Sequence, residues 1–209
     1  MPNQAGQNVQ KLAIRRRNQA LGLGICAFCL VLISLAILVF NSGLLSLAAL
    51  PLIGSAYFAW RSRQLIRQVA RAKKGAQAER QVARLLESLP GGWQLSFGER
   101  YPVVGDIDAL VIAPDKRAWC IDVKSHRGTV LLRSGQLWRV DFQGNERRFE
   151  KDFIASAKTQ ARLASARKKL RVRPIIVFSA ARVQTPRIVE RVAILEMSEL
   201  LNYLHNDHR

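Results

Sequence analysis

Residues 105–124 read GDIDALVIAPDKRAWCIDVK, two apolar segments that each carry acidic residues. Because side chains alternate between the two faces of a β-strand, Asp106 and Asp108 are predicted to share one face of the first segment, with Ile107 on the other. By the same rule Asp122 and Lys124 share one face of the second segment. Burying such charges is costly unless a cation or a partner compensates them. The cluster therefore indicates an enzyme site.

The charge of the chain is unevenly distributed. Residues 1–74 contain ten Lys or Arg and no Asp or Glu, so they carry +10 of the net charge of +18. A basic protein favours polyanionic partners such as nucleic acid or anionic lipid, although a solvated basic surface is the alternative. Cys26 and Cys29 lie inside an apolar run and Cys120 stands alone, so no disulfide framework is predicted.

Two uncharged apolar runs precede the soluble part of the chain. Residues 20–40 would span about 31 Å as a helix, enough to cross the hydrocarbon core. Asn41-Ser42-Gly43 predicts a turn, and residues 44–60 are a second, shorter apolar run with Tyr57 and Trp60 at its end. We expect a transmembrane helical hairpin over residues 19–60. One span plus an interfacial segment is the alternative, and a cleaved signal peptide fits less well.

The flanking charges predict the orientation of this hairpin. Basic residues occur within 1–18 and again from Arg61 onwards, whereas the connecting turn has no charge. The positive-inside rule places both termini in the cytoplasm. The expected product is an integral protein of the bacterial inner membrane, with a basic cytoplasmic segment (1–18), a basic linker helix (61–74) along anionic headgroups and a cytoplasmic domain (75–209).

The soluble part predicts a mixed α/β fold, a sheet flanked by helices. Residues 61–89 read as one long helix or two joined at Gly75, ended by Pro90-Gly91-Gly92. Strands are predicted near 93–98, 106–113, 117–124, 129–133, 136–141, 175–179 and 192–195, and helices over 150–170 and 198–205. The turn at Pro114-Asp115 predicts that the second and third strands pair antiparallel.

Carboxylates from neighbouring strands suit a hard divalent cation such as Mg²⁺, which prefers oxygen ligands and accepts phosphate oxygens. Such an ion polarises a phosphodiester and activates water, and a nearby lysine can orient that water or stabilise developing charge. Zinc is not indicated, because Cys120 and His126 do not make a four-ligand set. The chain has no nucleotide-binding glycine loop and no nucleophile elbow.

These residues resemble the nuclease-related domain (NERD) family of the PD-(D/E)xK nuclease superfamily. The resemblance covers roughly residues 72–180 and rests on the following positions: Gly105-Asp106-Ile107-Asp108, Ile121-Asp122-Val123-Lys124, Gly128, the opening helix Gly75-Ala76-Gln77-Ala78-Glu79, Trp138 and Gln160. Asp122 stands where the family more often has Glu. The resemblance implies a restriction-endonuclease-like core and Mg²⁺-dependent cleavage of nucleic acid.

The resemblance also implies a role for each acid. Asp108 and Asp122 would be the principal metal ligands, Asp106 a second candidate on the face of Asp108, and Glu79 an outer ligand or water anchor. Two structural alternatives stay open for these acids. In one of them Asp106 forms only a turn after Gly105, and in the other Glu79 is a surface residue paired with an arginine.

Two further residues complete the set that the resemblance implies. Lys124 would position the attacking water or stabilise the transition state, and Gln160 would orient the lysine, a metal-bound water or a phosphate. Mutual neutralisation of Asp122 and Lys124, or a solvent-exposed Gln160, are the alternatives. We therefore expect a membrane-anchored nuclease that uses Mg²⁺ or Mn²⁺ and acts on DNA or RNA, with DNA as the first expectation. A nucleic-acid- or partner-binding module without hydrolysis is the competing interpretation.

Overall fold

The computed structural model describes residues 7–40, 45–101 and 105–207. The chain divides into two compact units, one containing Gln7–Lys74 and the other Gly75–Arg209. Each unit is described by itself below. The predicted turn at Asn41-Ser42-Gly43 lies outside the described residues.

The first unit consists of helix α1 (Gln7–Phe40) and most of helix α2 (Leu45–Leu86). The two helices run antiparallel: Ser34 Oγ donates to Ala48 O at 2.8 Å and Ser62 Oγ donates to Ala20 O at 2.8 Å. Their contact is lined by buried small side chains at seven-residue intervals, namely Ala13, Ala20, Ala27 and Ser34 on α1 and Ala48, Ser55 and Ser62 on α2. This spacing keeps one side chain per two turns in contact and lets the backbones approach closely.

Among the described residues, one helix is long and apolar enough to cross a membrane by length and composition, namely α1 over Ala13–Val39. The outward side chains of α1 are large and apolar, including Leu21, Ile25 and Phe28, and they are mostly exposed. Helix α2 is continuous through Pro51 and Gly75 and ends at Leu86, so the sequence at 61–86 forms one helix rather than two.

The second unit contains a mixed sheet of eight strands. The strands are β1 (Gln94–Tyr101), β2 (Gly105–Ile112), β3 (Ala118–Arg133), β4 (Gln136–Val140), β5 (Glu146–Arg148), β6 (Val172–Gln184), β7 (Ile188–Val189) and β8 (Val192–Glu196). Helix α3 (Phe153–Lys168) precedes β6, and a 3₁₀ turn (Met197–Glu199) leads into α4 (Leu200–Asn206). The predicted fold class is confirmed.

Helices cover both faces of this sheet. On one face Val82 and Leu86 of α2 and Leu200 and Leu204 of α4 pack against Ile121 and other sheet residues. On the other face α3 supplies two clusters, one around Phe153, Ile154 and Ala157 and one around Ala161 and Ala164. The strands are paired in the order β1-β2-β3-β6-β8-β7, with β2–β3 antiparallel as predicted and β3–β6 parallel.

Strand β3 differs from the sequence prediction, which divided it into separate strands near 117–124 and 129–133. It is one strand of 16 residues, because β6 pairs with it from Ala118 to Leu131. A shift in register between Lys124 and Arg127 interrupts the regular pairing without ending the strand. Strands β5 and β7 were not predicted, since three exposed residues and a two-residue strand give no periodic signal.

The predicted alternation of faces along β2 is wrong at one point. Ile107 packs in the cluster that contains Leu110 and Cys120, whereas Ala109 packs in the cluster of Val82 on the opposite face. Strict alternation would put Ile107 with Ala109. The break falls at Asp108, where β2 stops pairing with β3 and the Asp108 carboxylate accepts from the Val123 N–H instead.

Candidate functional site

The site residues lie at a gap between strands on one edge of β3. Pairing of β2 with β3 ends at Ala109 and Ile121, and β4 joins the same edge only from Thr129 onwards. Among the described residues no strand pairs with this edge of β3 over residues 122–128. Backbone groups here need other partners, and side chains can enter the gap.

Asp108 occupies the start of this gap. Its Oδ2 accepts a hydrogen bond of 2.7 Å from the backbone N–H of Val123, so a carboxylate takes the place of the missing strand partner. Burial raises the pKa of Asp108 to about 8, and the nearby carboxylates of Asp122 and Glu79 add to the rise. The Val123 hydrogen bond and the charge of Lys124 oppose it. A pKa near 8 favours the protonated form of Asp108 at neutral pH.

Asp122 and Lys124 form an ion pair. Lys124 Nζ lies 2.6 Å from Asp122 Oδ1, and the two side chains are 17% and 7% exposed. Within residues 7–40, 45–101 and 105–207, Asp122 Oδ2 is buried and has no hydrogen-bond partner. Lys124 Nζ also lies 4.7 Å from the ring centroid of Phe153 in α3, which places the pair on the α3 face of the sheet. The ion pair thus gives one oxygen of the buried carboxylate a partner, and the other oxygen remains without a hydrogen bond.

Glu79 and Asp106 approach the same charges. Burial raises the pKa of Glu79, the charge of Lys124 lowers it, and the carboxylates of Asp106 and Asp122 raise it further. Glu79 lies on α2, one helical turn before Val82, which packs against the sheet. Asp106 is exposed and stands opposite Arg100 of β1. The structure thus brings all four acids into one electrostatic cluster, with Asp106 at its open side.

Gln160 lies on the buried face of α3, the helix whose Phe153 contacts Lys124. Its side chain is buried and 7% of the residue is exposed, which argues against the solvent-exposed alternative. The N-cap of α3 is Asp152, whose carboxylate accepts from Ala155 N at 2.9 Å. Among the residues that the structure describes, Gln160 Oε1 has no hydrogen-bond partner, which is costly for a buried amide oxygen.

His126 follows Lys124 by two residues in β3 and packs against two aromatic side chains. The centroid of its ring lies 4.9 Å and 5.8 Å from the ring centroids of Phe149 and Phe153. Burial lowers its pKa, and the positive charges of Arg139 and Lys124 lower it further. The two Phe residues follow in the chain only after β4 and β5, so nothing local to His126 predicts this contact.

The carboxylates of the cluster are donors of the type that a hard divalent cation prefers. Within the described residues, no three His, Cys, Asp or Glu side chains form a group ready to hold a metal ion. The fit rests on the clustered carboxylates, the raised pKa of Asp108 and the orphaned Oδ2 of Asp122. Oxygen-only donors of this kind match Mg²⁺ and Mn²⁺ rather than zinc.

An acid cluster at a gap in a mixed sheet, covered by helices on both faces, defines an α/β protein with a candidate catalytic site. Residues 74–179 match the family model described as the nuclease-related domain, NERD. The match covers more than half of the chain, and the chain belongs to the NERD family. The predicted family is thereby confirmed.

Two solved structures are also similar to this chain. A repair endonuclease from Pyrococcus abyssi shares 13% sequence identity over 57% of this chain and 37% of its own, with a TM-score of 0.28. The EndoMS-dsDNA2 complex shares 13% identity over 52% of this chain and 44% of its own, with a TM-score of 0.31. The similar region therefore spans less than half of either solved chain. No curated protein matches this chain.

Proposed function

We propose that this protein is a membrane-anchored nuclease that hydrolyses phosphodiester bonds in DNA or RNA with the aid of Mg²⁺ or Mn²⁺. The observation that carries the proposal is the convergence of Asp108, Asp122 and Lys124 at the gap beside β3, with one oxygen of Asp122 buried and unpaired. Membership of the NERD family supports the same chemistry.

In this proposal Asp108 and Asp122 hold the metal ion, with Glu79 and Asp106 as further ligands or anchors for its waters. The ion supplies Lewis-acid polarisation of the phosphate and lowers the pKa of bound water. Asp108, whose pKa is raised by burial, would hold the cation as a carboxylate, since a nearby positive charge favours its ionised form.

Lys124 and Gln160 have complementary tasks. With Asp122 holding the cation, the Lys124 ammonium would orient water or stabilise negative charge on the phosphate. The unpaired Oε1 of Gln160 accepts a hydrogen bond from Lys124 or from a water in the site.

The test is cleavage of labelled DNA and RNA, single- and double-stranded, by the full chain in detergent with Mg²⁺, Mn²⁺ or Ca²⁺. Asp122→Ala and Lys124→Ala should each lower the rate by about 10²-fold or more, since each removes a group that acts on the reacting phosphate. Asp115→Ala and Lys116→Ala, on the exposed β2–β3 turn, are matched controls that should keep full activity. Full activity in either site variant would contradict the mechanism.

A binding module without hydrolysis is the second candidate. The observation that favours it is the ion pair itself, because at 2.6 Å Lys124 already neutralises Asp122. Nucleic-acid binding without cleavage under every divalent metal would favour this candidate over the nuclease.

The membrane anchor is part of the proposal. The supporting observations are the length and apolar surface of α1, and the antiparallel packing of α1 on α2 through small residues. We propose that residues 19–60 form a transmembrane hairpin of the bacterial inner membrane, with residues 1–18, the linker 61–74 and the domain 75–209 in the cytoplasm. The protein should resist alkaline extraction from membranes, and protease should digest the domain in inverted vesicles but not in intact spheroplasts. The reverse protease pattern would overturn the orientation.

A further inference from the structure

The β4–β5 hairpin presents an exposed aromatic side chain at its tip. Phe142 is 84% exposed, and within residues 75–101 and 105–207 it is the most exposed large apolar side chain. It lies in the turn between Val140 and Glu146, the ends of the two strands. Exposing a phenyl ring to water is unfavourable, and a ring displayed at the tip of a hairpin is accessible for contact with another molecule.

The tip that carries Phe142 is an ordered turn. Asp141 Oδ1 accepts from the backbone N–H groups of Gln143 and Asn145, each at 2.9 Å. Asp141 Oδ2 accepts from the Asn145 side chain at 3.1 Å, and the Asp141 N–H donates to the Asn145 carbonyl at 3.1 Å. The aromatic ring is therefore displayed on a preorganised support, which lowers the entropic cost of binding.

Two arginines lie directly opposite each other on this hairpin. Arg139 of β4 pairs with Arg147 of β5. The charge of Arg147 acts on Asp141 at the tip, but among the described residues neither arginine forms an ion pair within 4.0 Å. Arg133, at the base of β4, is in contrast bound to Glu146 at 2.7 Å. Like charges directly opposite on neighbouring strands destabilise a sheet. An anion that bridges the two guanidinium groups would remove that cost.

The hairpin arginines face the same side as the candidate site. Arg139 stands opposite Val130, which packs against α3 with Phe153, and its charge acts on His126 beside Lys124. The segment of β3 between Lys124 and Gly128, the residue that lies against Val140, is about 13 Å long at ~3.3 Å per residue of strand. This distance corresponds to a few nucleotides of a strand that leaves the site, at ~3.4 Å per nucleotide.

We propose that the β4–β5 hairpin is a nucleic-acid-gripping arm: Arg139 and Arg147 bind phosphates of the strand bound in the site, and Phe142 stacks on an unpaired or unstacked base. The proposal rests on the proposed nuclease function for the identity of the ligand. Stacking on a base is independent of sequence, because every base has a π-face. The arm would thus add affinity without choosing a sequence.

The test measures binding by the full chain in detergent, with Ca²⁺ in place of Mg²⁺, of a 20-nucleotide single-stranded DNA that carries 2-aminopurine at successive positions. Phe142→Ala should weaken binding about 5- to 100-fold, the effect of losing one stacked base. It should also abolish the 2-aminopurine quenching that wild type gives at one position, whereas Phe142→Trp retains it. Ile188→Ala, which removes another exposed apolar side chain, is the control and should bind as wild type.

The arginines have a separate readout. Arg139→Ala with Arg147→Ala should reduce the slope of log affinity against log salt by about 1.4, because two phosphate contacts to a single strand are lost. Wild-type binding and salt slope in both hairpin variants would overturn the arm while leaving the nuclease proposal intact. A Phe142→Ala effect on binding to anionic vesicles, but not to DNA, would assign the tip to lipid and overturn the arm.

Two other outcomes separate the arm from the nuclease proposal. If the hairpin variants lose binding but Asp122→Ala still cleaves, the arm stands and the catalytic scheme fails. If wild type binds no DNA or RNA, the arm and the nuclease function are both overturned.

Discussion

At the scale of single residues, the proposed chemistry depends on two carboxylates that the fold buries, Asp108 and Asp122. Asp108 is kept in place by the Val123 N–H, and Asp122 by Lys124. In each case one carboxylate oxygen has a protein partner, and the stability of the buried carboxylate depends on that partner. A buried charge that loses its only partner is strongly destabilising.

Lys124→Met should therefore lower the free energy of unfolding by about 3 kcal/mol, because Asp122 is left buried and unpaired. Adding Mn²⁺ should restore stability more in this variant than in wild type, since the cation replaces the lost ammonium. Chemical unfolding of the detergent-solubilised chain, followed by tryptophan fluorescence, measures both effects. Lys158→Met removes an exposed pair with Glu190 and should cost no more than about 1 kcal/mol. Equal losses in the two variants would contradict the argument.

His126 predicts a pH dependence. Its pKa in the folded protein lies below the ordinary value of 6.5, chiefly because the ring is buried. The unfolded chain therefore binds the proton more readily, and stability present above pH 6.5 is lost as the pH falls through the folded pKa. His126→Phe should lose less stability than wild type between pH 7 and pH 5. Thermal unfolding at both pH values measures the difference, and exposed His205→Gln should behave as wild type.

At the scale of elements, strand β3 organises the site. Its first residues pair with β2, its last with β4, and β6 supports its other edge throughout. The interval between β2 and β4 is where the side chains enter. Gly128 makes this arrangement possible, because β4 crosses so close that a Cβ at this residue would lie 2.1 Å from the Val140 carbonyl oxygen. Its φ of +96° also favours glycine.

Gly128→Ala should therefore destabilise the domain by at least about 2 kcal/mol, the combined effect of backbone strain and overpacking. It should also weaken nucleic-acid binding, since the β4–β5 hairpin must move to admit the methyl group. Gly91→Ala, which meets nothing within 4 Å, is the matched control. The unfolding midpoints of the two variants are compared. Similar midpoints would mean that β4 moves away from residue 128 without a loss of stability, which would contradict the prediction.

At the scale of the whole molecule, the chain combines two units of different character. Gln7–Lys74 form a helical pair held by small residues and two serine hydrogen bonds, and residues from Gly75 onwards form the α/β domain. All ten basic residues of 1–74 lack an acidic neighbour in that segment, whereas the domain mixes both signs. This distribution suits a membrane surface for the first unit and a polyanionic substrate for the second.

The helical pair makes its own prediction. Ala48→Leu places a large side chain where Ala48 is 2% exposed, beside the hydrogen bond from Ser34. Overpacking of this kind typically costs about 1–3 kcal/mol. Leu50→Ala, at a position 67% exposed, should change little. The measurement is the resistance of each purified variant to SDS-induced separation of the two helices. Unchanged resistance in Ala48→Leu would contradict the close packing of α1 and α2 at Ala48.

The sequence predicted much of this fold because the signals were local. The apolar segment at 105–112 and the turn at Pro114-Asp115 predict an antiparallel pair, which the structure confirms. The family resemblance points to Glu79 and Gln160. Three features were not predictable in the same way. The unbroken length of β3, the role of His126 and the hairpin that presents Phe142 all depend on contacts between residues distant in the chain.

The sequence by itself determined which side chains are chemically reactive and which segments are apolar enough to be buried away from water. Residue type and periodicity are properties of the chain alone. Only the tertiary structure decided that β2 and β4 meet the same edge of β3 and leave a gap between them. That gap inserts Asp108 beside Val123 and brings Arg139 towards His126. Pairing between strands that are distant in the chain sets these positions, because the apolar burial that stabilises the pairing involves the whole sheet.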